Sequence, residues 1–228
     1  MRFSLHAAMA GVAGLALLAP ATSAADFDAS YLGLRGSYVA TESASATGSV
    51  GFDIDEDYAS DSFAVSAYYG RVLDEDFRLE LEGGYRSVDL DEVTILRDAA
   101  PVVYLPGDIV NVSGDAQVGT LMVNLCYDIH IADGPILPWI GAGFGGAFVD
   151  YSIEDPNAVA TFDASDTAWV FAFQLMAGIT FPVADGISMS AGYRFFQTQD
   201  FAFVSTAGED FETDLTQHSF DLGLQFHL

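Results

Sequence analysis

The chain ends in residues 219–228, which read S-F-D-L-G-L-Q-F-H-L. Apolar and polar residues alternate through the whole segment, and its apolar positions are Phe220, Leu222, Leu224, Phe226 and Leu228. A period of two predicts a β-strand whose two faces meet different surroundings. Because the segment ends on an apolar residue and similar stretches precede it, we interpret it as the closing strand of a membrane β-barrel.

The first residues have the layout of a secretory signal peptide. One basic residue, Arg2, precedes the apolar run of residues 7–19, and Pro20 and several small residues follow. The run is shorter than the roughly 20 apolar residues that a membrane-spanning helix needs. We therefore expect a cleaved signal peptide at residues 1–24 and a single barrel domain at residues 25–228.

The composition favours a barrel that faces lipid. Hydrophobic residues make up 51% of the chain, aromatic residues 13%, and the mean hydropathy is +0.30. A membrane barrel turns such residues outward and keeps polar residues in its lumen. A soluble periplasmic barrel that binds a ligand would bury them instead, and it remains an alternative.

The charge of the chain is strongly negative and unevenly distributed. There are 33 acidic and 7 basic residues, which gives a net charge of −26 and excludes a nucleic-acid partner. Twenty of the acids fall in the windows 41–61, 91–115, 151–167 and 200–215, which contain one arginine, Arg97. We interpret these windows as long surface loops.

Eight alternating segments lie around these loops. They are residues 30–41, 62–72, 78–90, 116–131, 136–150, 168–182, 187–199 and 216–228. Short turns, two of them containing Asp-Gly, join the second to the third, the fourth to the fifth and the sixth to the seventh. The pattern predicts an all-β, eight-stranded antiparallel up-and-down transmembrane barrel with three short periplasmic turns and four long acidic extracellular loops.

Charged residues on these strands fall on the inward phase. A charge that faces lipid costs about 2 to 4 kcal/mol at the membrane midplane, so these side chains must point into the lumen. The expected lumen charge network consists of Arg35, Arg78, Glu80, Glu82, Arg86, Asp128, Arg194 and Asp221. It has two interpretations: a structural polar core whose charges pair, or a small gate whose conductance changes when Arg86 or Glu82 is neutralised.

Aromatic residues near the strand ends are expected to form the girdles of a membrane barrel. We assign Tyr31, Tyr127, Trp169, Phe181 and Tyr193 to them.

The acidic loops also have two interpretations. They are either a solvated flexible surface or a site for a divalent cation, which we place at Asp53, Asp55 and Asp57 with Ca²⁺ as the ion. The segment lacks the EF-hand pattern. Adhesion or partner binding through the same loops is a further alternative.

An enzyme that modifies lipids would need a nucleophile beside a base. His218 and Ser219 are neighbours in the chain, and neighbours in a strand point to opposite faces. We therefore expect no enzymatic activity.

The signal peptide, the layout of loops and turns, and residues 220–228 resemble those of the small outer-membrane barrels of Gram-negative bacteria, including the OmpA-type and opacity-type proteins. The family usually ends in an aromatic residue, whereas this chain ends in Leu228. The resemblance implies a porin-like protein of the bacterial outer membrane whose last strand is an assembly signal for the barrel-assembly machinery. Its other expected partners are outer-membrane lipid and lipopolysaccharide, with the protein as a monomer.

We accordingly predict a non-enzymatic role in envelope structure or in surface interaction through the acidic loops. The alternatives are a narrow gated pore, a transporter of small hydrophobic molecules and a lipid-modifying enzyme.

Overall fold

The computed structural model describes residues 30–48, 53–58, 62–97, 106–131, 135–154, 164–204 and 210–228. The expected signal peptide, residues 1–24, lies outside these ranges, and the expected barrel domain is described from residue 30 onward. Within the described ranges, the structure contains no helix that is both long enough and apolar enough to cross a membrane.

The described residues form twelve strands. In chain order they are β1 (Ser30–Thr41), β2 (Ala44–Gly48), β3 (Asp53–Tyr58), β4 (Ser62–Val72), β5 (Phe77–Arg97), β6 (Ile109–Asp128), β7 (Leu137–Glu154), β8 (Ala164–Ala184), β9 (Ile187–Thr198), β10 (Phe201–Val204), β11 (Asp210–Thr213) and β12 (Thr216–His227).

Eight of these strands close into a barrel in the order β1-β4-β5-β6-β7-β8-β9-β12. Every neighbouring pair is antiparallel, and β12 pairs back with β1 from Tyr31 opposite His227 to Thr41 opposite Gln217. The eight strands are those that the alternation indicated, so the predicted fold class is confirmed.

Tight turns connect neighbouring strands at one end of the barrel, which we call the turn side. β1 begins and β12 ends at this same end. In the turn between β4 and β5, the Asp74 Oδ1 atom accepts hydrogen bonds from the backbone N–H groups of Asp76 and Phe77, at 2.9 and 2.8 Å. In the turn between β8 and β9, Gly186 has a φ of 70°, a conformation that glycine adopts without strain. The predicted Asp133-Gly134 turn lies outside the described residues.

At the opposite end, the structure differs from the expected loops. The strands β5 to β8 continue beyond the predicted strand ends, and the windows 41–61 and 200–215 contain β2, β3, β10 and β11. These four strands pair in the order β5-β3-β2-β11-β10. The edges of the long strands offer unpaired backbone groups, and the loop segments satisfy them by pairing. We call β2, β3, β10 and β11, together with residues 89–97, 109–116, 149–154 and 164–171, the outer tier.

The two faces of the barrel wall are inverted relative to a water-soluble barrel. On β12, Phe220 and Leu222 point outward with 68% and 65% of their surface exposed, whereas Asp221 between them is 7% exposed. The same alternation runs through β6, where Leu121 and Leu125 are exposed and Asn124 is buried. An apolar outer face around a polar interior is the arrangement of a barrel in lipid.

Candidate functional site

The lumen holds all eight charged residues that the sequence analysis assigned to it. Each is buried, with at most 9% of its surface exposed. They come from five strands of the barrel, because the inward phase of each strand aims its side chain at the same narrow interior. They are Arg35 on β1, Arg78, Glu80, Glu82 and Arg86 on β5, Asp128 on β6, Arg194 on β9 and Asp221 on β12, together with the polar Gln174 on β8.

Four of these residues form a closed cycle of ion pairs. The Glu82 carboxylate lies 2.8 Å from Arg35 Nη1 and 2.6 Å from Arg194 Nη1. The Asp221 Oδ2 atom lies 3.0 Å from Arg194 Nε and 3.6 Å from Arg35 Nε. Each carboxylate therefore contacts both guanidinium groups, so that two positive and two negative charges balance within the cycle.

Uncharged polar side chains extend the cycle across the barrel. Asn124 Nδ2 donates to Glu82 Oε2 at 3.0 Å, and Gln174 Nε2 donates to Asn124 Oδ1 at 2.7 Å. Arg194 Nη1 also donates to Gln174 Oε1 at 2.8 Å. Asn124 and Gln174 lie on the inward phase of β6 and β8, but the expected network did not include them, since alternation does not show which inward side chains meet.

A second cluster lies nearer the turns. The Tyr31 hydroxyl donates to Glu80 Oε1 at 2.6 Å and accepts from Arg78 Nη1 at 3.2 Å. Arg78 Nε lies 3.0 Å from Asp128 Oδ1, and the Arg78 guanidinium sits 5.1 Å from the ring centre of Trp139. This cluster fills the lumen on the turn side of the ion-pair cycle.

The assignment of Tyr31 to an outward aromatic girdle is wrong. Tyr31 is 3% exposed and lies in the lumen, on the same phase of β1 as Arg35. Gly70, opposite Tyr31 in the ladder with β4, makes room for its ring, because a Cβ atom at Gly70 would lie 2.1 Å from Tyr31 Cζ. In contrast, Tyr127, Trp169 and Tyr193 are exposed on the outer face, as expected.

Arg86 is not paired with a carboxylate among the described residues. Its Nη1 atom donates to Gln217 Oε1 at 2.9 Å, and its guanidinium lies 3.8 Å from the ring centre of Phe196. A guanidinium over an aromatic face is a favourable contact. Of the eight expected network members, seven are joined by ion pairs and Arg86 is held by an amide and a ring.

The interior of the outer tier contains buried apolar side chains. They come from β2, β6, β7 and β10 and from the second of the two residues between β11 and β12, and all are buried: Ala46, Ala116, Tyr151, Phe201 and Leu215. The rings of Tyr151 and Phe201 contact each other with centres 6.5 Å apart. The interior is thus layered, with charges in the barrel and an apolar plug in the outer tier.

The candidate cation ligands lie on β3. The Asp55 Oδ1 atom accepts a hydrogen bond from the Ser45 hydroxyl at 2.6 Å, and Asp53 lies opposite Arg97 in the ladder with β5. The side chain of Asp57 is outside the described set. Among the side chains that the structure describes, no three acidic, histidine or cysteine groups come together as a metal site would require.

His218 and Ser219 point to opposite sides of β12. Ser219 is buried in the lumen, whereas the His218 ring lies outside, with Nε2 2.6 Å from Glu42 Oε1 and Nδ1 in contact with the Tyr193 hydroxyl. The two residues therefore cannot act on one reacting atom.

The expected assembly residues of β12 share the outer face of the barrel. All five are exposed and form an apolar stripe next to β1, with which β12 pairs: Phe220, Leu222, Leu224, Phe226 and Leu228. Their role as an assembly signal stays a prediction.

Comparison with known proteins adds to this geometry. A family model described as "Surface antigen" matches residues 40–221. An uncharacterized protein of Brucella abortus (strain 2308) is 33% identical over 89 residues, which cover 36% of this chain and 31% of that protein. An uncharacterized protein of Brucella suis biovar 1 matches to the same extent. The chain therefore matches less than a third of the length of these curated relatives.

Two solved structures share the fold. Neisserial surface protein A aligns with a TM-score of 0.50 at 14% identity, covering 90% of this chain and 100% of that one. The outer membrane protease OmpT from Escherichia coli aligns with a TM-score of 0.52 at 7% identity, covering 91% of this chain and 99% of that one. At these identities the likeness concerns the fold alone.

Proposed function

The chain belongs to the surface antigen family, and from that membership we propose that it is a non-enzymatic barrel with a closed lumen that interacts with partners through its acidic outer tier. The protein is located in the bacterial outer membrane. A role in envelope structure requires only the folded barrel, whereas a role in surface interaction requires that the outer tier binds a partner.

The observation that carries the proposal is the ion pair between Glu82 on β5 and Arg194 on β9. These strands are four places apart in the ring of eight, so they stand on opposite sides of the barrel and their side chains meet across its diameter. An eight-stranded barrel has an interior just wide enough for side chains to fill. A bridge across that interior leaves the outer surface as the part of the molecule that can meet large partners.

The distribution of charge supports interaction at the outer tier. Of the 7 basic residues, four lie in the lumen, and Arg71 lies at the turn-side end of β4. Arg97 on β5 is the one arginine of the outer tier. The carboxylates outside the lumen are therefore largely uncompensated, and a surface of one sign attracts partners of the opposite sign. A cationic partner fits best.

The alternatives are less well supported. A transporter of small hydrophobic molecules would lead an apolar solute past Glu82, Arg194 and Asp221, and a layer of buried charge is a poor environment for such a solute. A lipid-modifying enzyme would need a nucleophile beside a base, and Ser219 and His218 are on opposite faces. OmpT is named as a protease, but its 7% identity transfers no chemistry to this chain.

The closed lumen is tested by current recording in planar bilayers. Wild type and Glu82→Gln should both be electrically silent, because the remaining side chains still fill the interior. Discrete currents that change with this substitution would instead support the gated pore.

The surface role is tested with labelled poly-L-lysine and with protein in neutral-lipid nanodiscs, tethered at the turn-side C-terminus. Neutralising four outer-tier acids, Asp89, Asp115, Asp166 and Glu212, should weaken binding at least tenfold. Neutralising four acids at the turn side, Asp74, Glu75, Asp76 and Asp185, is the matched control and should change it less than twofold. Equal losses in the two variants would contradict a role for the outer tier.

A further inference from the structure

The described strands of the outer tier follow one another in a ring, as the strands of the barrel do. One pair of neighbours in this ring has no ladder between them. Above the membrane ring, β3, β2, β11 and β10 replace β4, β1, β12 and β9, and the sequence of pairings runs β8-β7-β6-β5-β3-β2-β11-β10. Among the described strands, β10 pairs only with β11, and no ladder joins β10 to β8 although the two run side by side. The outer tier is therefore a ring with one open seam.

The edge of β8 at this seam has no ladder partner among the described residues. The Phe171 carbonyl accepts a hydrogen bond from Gln199 N–H at 2.8 Å, so it points away from β7. Backbone groups alternate in direction along a strand, and those of Thr167 and Trp169 consequently point to the same side as Phe171, toward the seam. The ladder between β8 and β9 begins only at Ala172, so within the described ranges this stretch of β8 pairs with no strand on that side.

The edge at Thr167 is capped by its own neighbour. The Thr167 N–H donates to Asp166 Oδ1 at 2.7 Å. An acidic side chain that occupies an edge amide is one of the ways in which proteins protect an unpaired strand from unspecific pairing. A partner strand that replaced this contact would exchange it for a ladder hydrogen bond.

Side chains, and not a strand ladder, hold β10 against the wall. The Phe201 ring packs on Tyr151 of β7, and Val149, Asp166, Thr167, Ala168 and Ala202 surround this contact. Moving β10 away from β8 therefore breaks packing contacts but no ladder hydrogen bonds between the two strands. Among the described strands of the outer tier, β8 and β10 are the neighbouring pair that no ladder joins.

We propose that the β8 edge at this seam binds an extended, basic polypeptide segment of a partner protein, which pairs with residues 164–171 as an added strand. The proposal rests on the proposed function and names the partner class and the site of that interaction. Strand addition draws its affinity from main-chain hydrogen bonds and its specificity from alternate side chains. Asp166 of β8 lines the packing contact at the seam and Asp200 precedes β10, so lysine or arginine side chains of the partner meet a carboxylate on each side of the seam.

The test uses a labelled decapeptide of alternating lysine and valine, with the protein in neutral-lipid nanodiscs and fluorescence anisotropy as the readout. Thr167→Pro removes the edge N–H, which bonds only the Asp166 side chain among the contacts described for it, and proline is tolerated on strand edges. We expect Thr167→Pro to weaken binding at least tenfold. Thr167→Ala keeps the N–H and should change binding less than twofold.

A second peptide separates strand addition from charge attraction. The same decapeptide with every backbone amide N-methylated keeps every charge and loses the donors on both edges, and it should bind at least tenfold more weakly. If it binds equally well, or if folded Thr167→Pro binds like wild type, strand addition at the seam is overturned while the binding of poly-L-lysine still supports the proposed function. If poly-L-lysine does not bind either, the proposed function fails as well.

If Thr167→Pro does not fold, amide hydrogen exchange of the wild-type protein tests the same proposal. Adding the decapeptide should slow amide exchange in residues 164–171 relative to the N-methylated control. Unchanged exchange in this segment at a saturating peptide concentration would overturn the proposal.

Discussion

Arg194 of β9 and Glu82 of β5 form an ion pair across the diameter of the barrel, with Nη1 and Oε1 2.6 Å apart. Both side chains are buried, and Arg35 and Asp221 complete the cycle around them. A buried ion pair is costly to break on one side only, because the remaining charge loses its partner without regaining water. The lumen network therefore makes specific predictions about single substitutions.

Glu82→Ala should strongly destabilise the barrel. The substitution leaves Arg35 and Arg194 with Asp221 as their shared carboxylate, and we expect a loss of about 3 to 5 kcal/mol in the free energy of unfolding. The measurement is urea unfolding in detergent micelles, followed by the gel shift between folded and heated protein. Glu75→Ala, at an exposed position in the turn between β4 and β5, is the control and should leave the unfolding midpoint unchanged.

Arg86 and Arg194 should respond differently to the same substitution. Arg194→Met removes a cation that contacts both Glu82 and Asp221, whereas Arg86→Met removes one held by Gln217 and the Phe196 ring. We expect about 3 kcal/mol of destabilisation for Arg194→Met and roughly 1 to 2 kcal/mol for Arg86→Met. Equal losses in the same urea assay would mean that Arg86 has an ionic partner that the geometry does not include.

Gly33→Ala should destabilise the barrel, although it adds a single methyl group. A Cβ atom at Gly33 would lie 2.1 Å from Tyr68 Cζ, and the Tyr68 ring cannot move freely because Arg35 stacks on it at 4.4 Å and Gln225 donates to its hydroxyl. Overpacking of this kind costs about 1 to 3 kcal/mol. Gly36→Ala on the same strand has open space around its Cβ position and should be neutral within the error of the unfolding measurement.

The two tryptophans should report opposite sides of the barrel wall. Trp139 is 5% exposed and packs with Cys126 and Met176 in the lumen, whereas Trp169 is 74% exposed on the outer face. With acrylamide as the quencher, the emission of Trp139→Phe, which retains the exposed Trp169, should be strongly quenched. Trp169→Phe retains the lumen tryptophan and should be quenched much less. Similar quenching of both variants would contradict the assignment of the two faces.

Tyr31 was assigned to the wrong face of the barrel wall because its residue type was given more weight than its position in the alternation of β1. Aromatic residues at strand ends are typical of membrane girdles, and Tyr31 was assigned to one for that reason. Its phase on β1 is that of Arg35, which the sequence analysis had already placed inside, and the structure follows the phase. Alternation is the stronger signal because the pleat fixes the direction of the Cβ atom, whatever the residue type.

In the acidic windows, composition indicated loops where the structure has strands. Their composition is typical of solvated loops, yet β2, β3, β10 and β11 form in them by pairing beside the long strands. Sequence alone does not reveal this pairing, since each of these strands has only 4 to 6 residues and its stability comes from the edge it joins.

The sequence by itself determined the number of barrel strands, the face on which each residue lies, and the eight charges of the lumen, because a period of two is a local property of the chain. The tertiary structure decided the contacts that depend on register and closure. It brought Arg194 to Glu82, left Arg86 to Gln217 and Phe196, and left β8 and β10 unpaired at the seam. The contacts of Arg194 and Arg86 join strands that are far apart in the ring. Which residues meet there is set by the stagger with which the whole sheet closes.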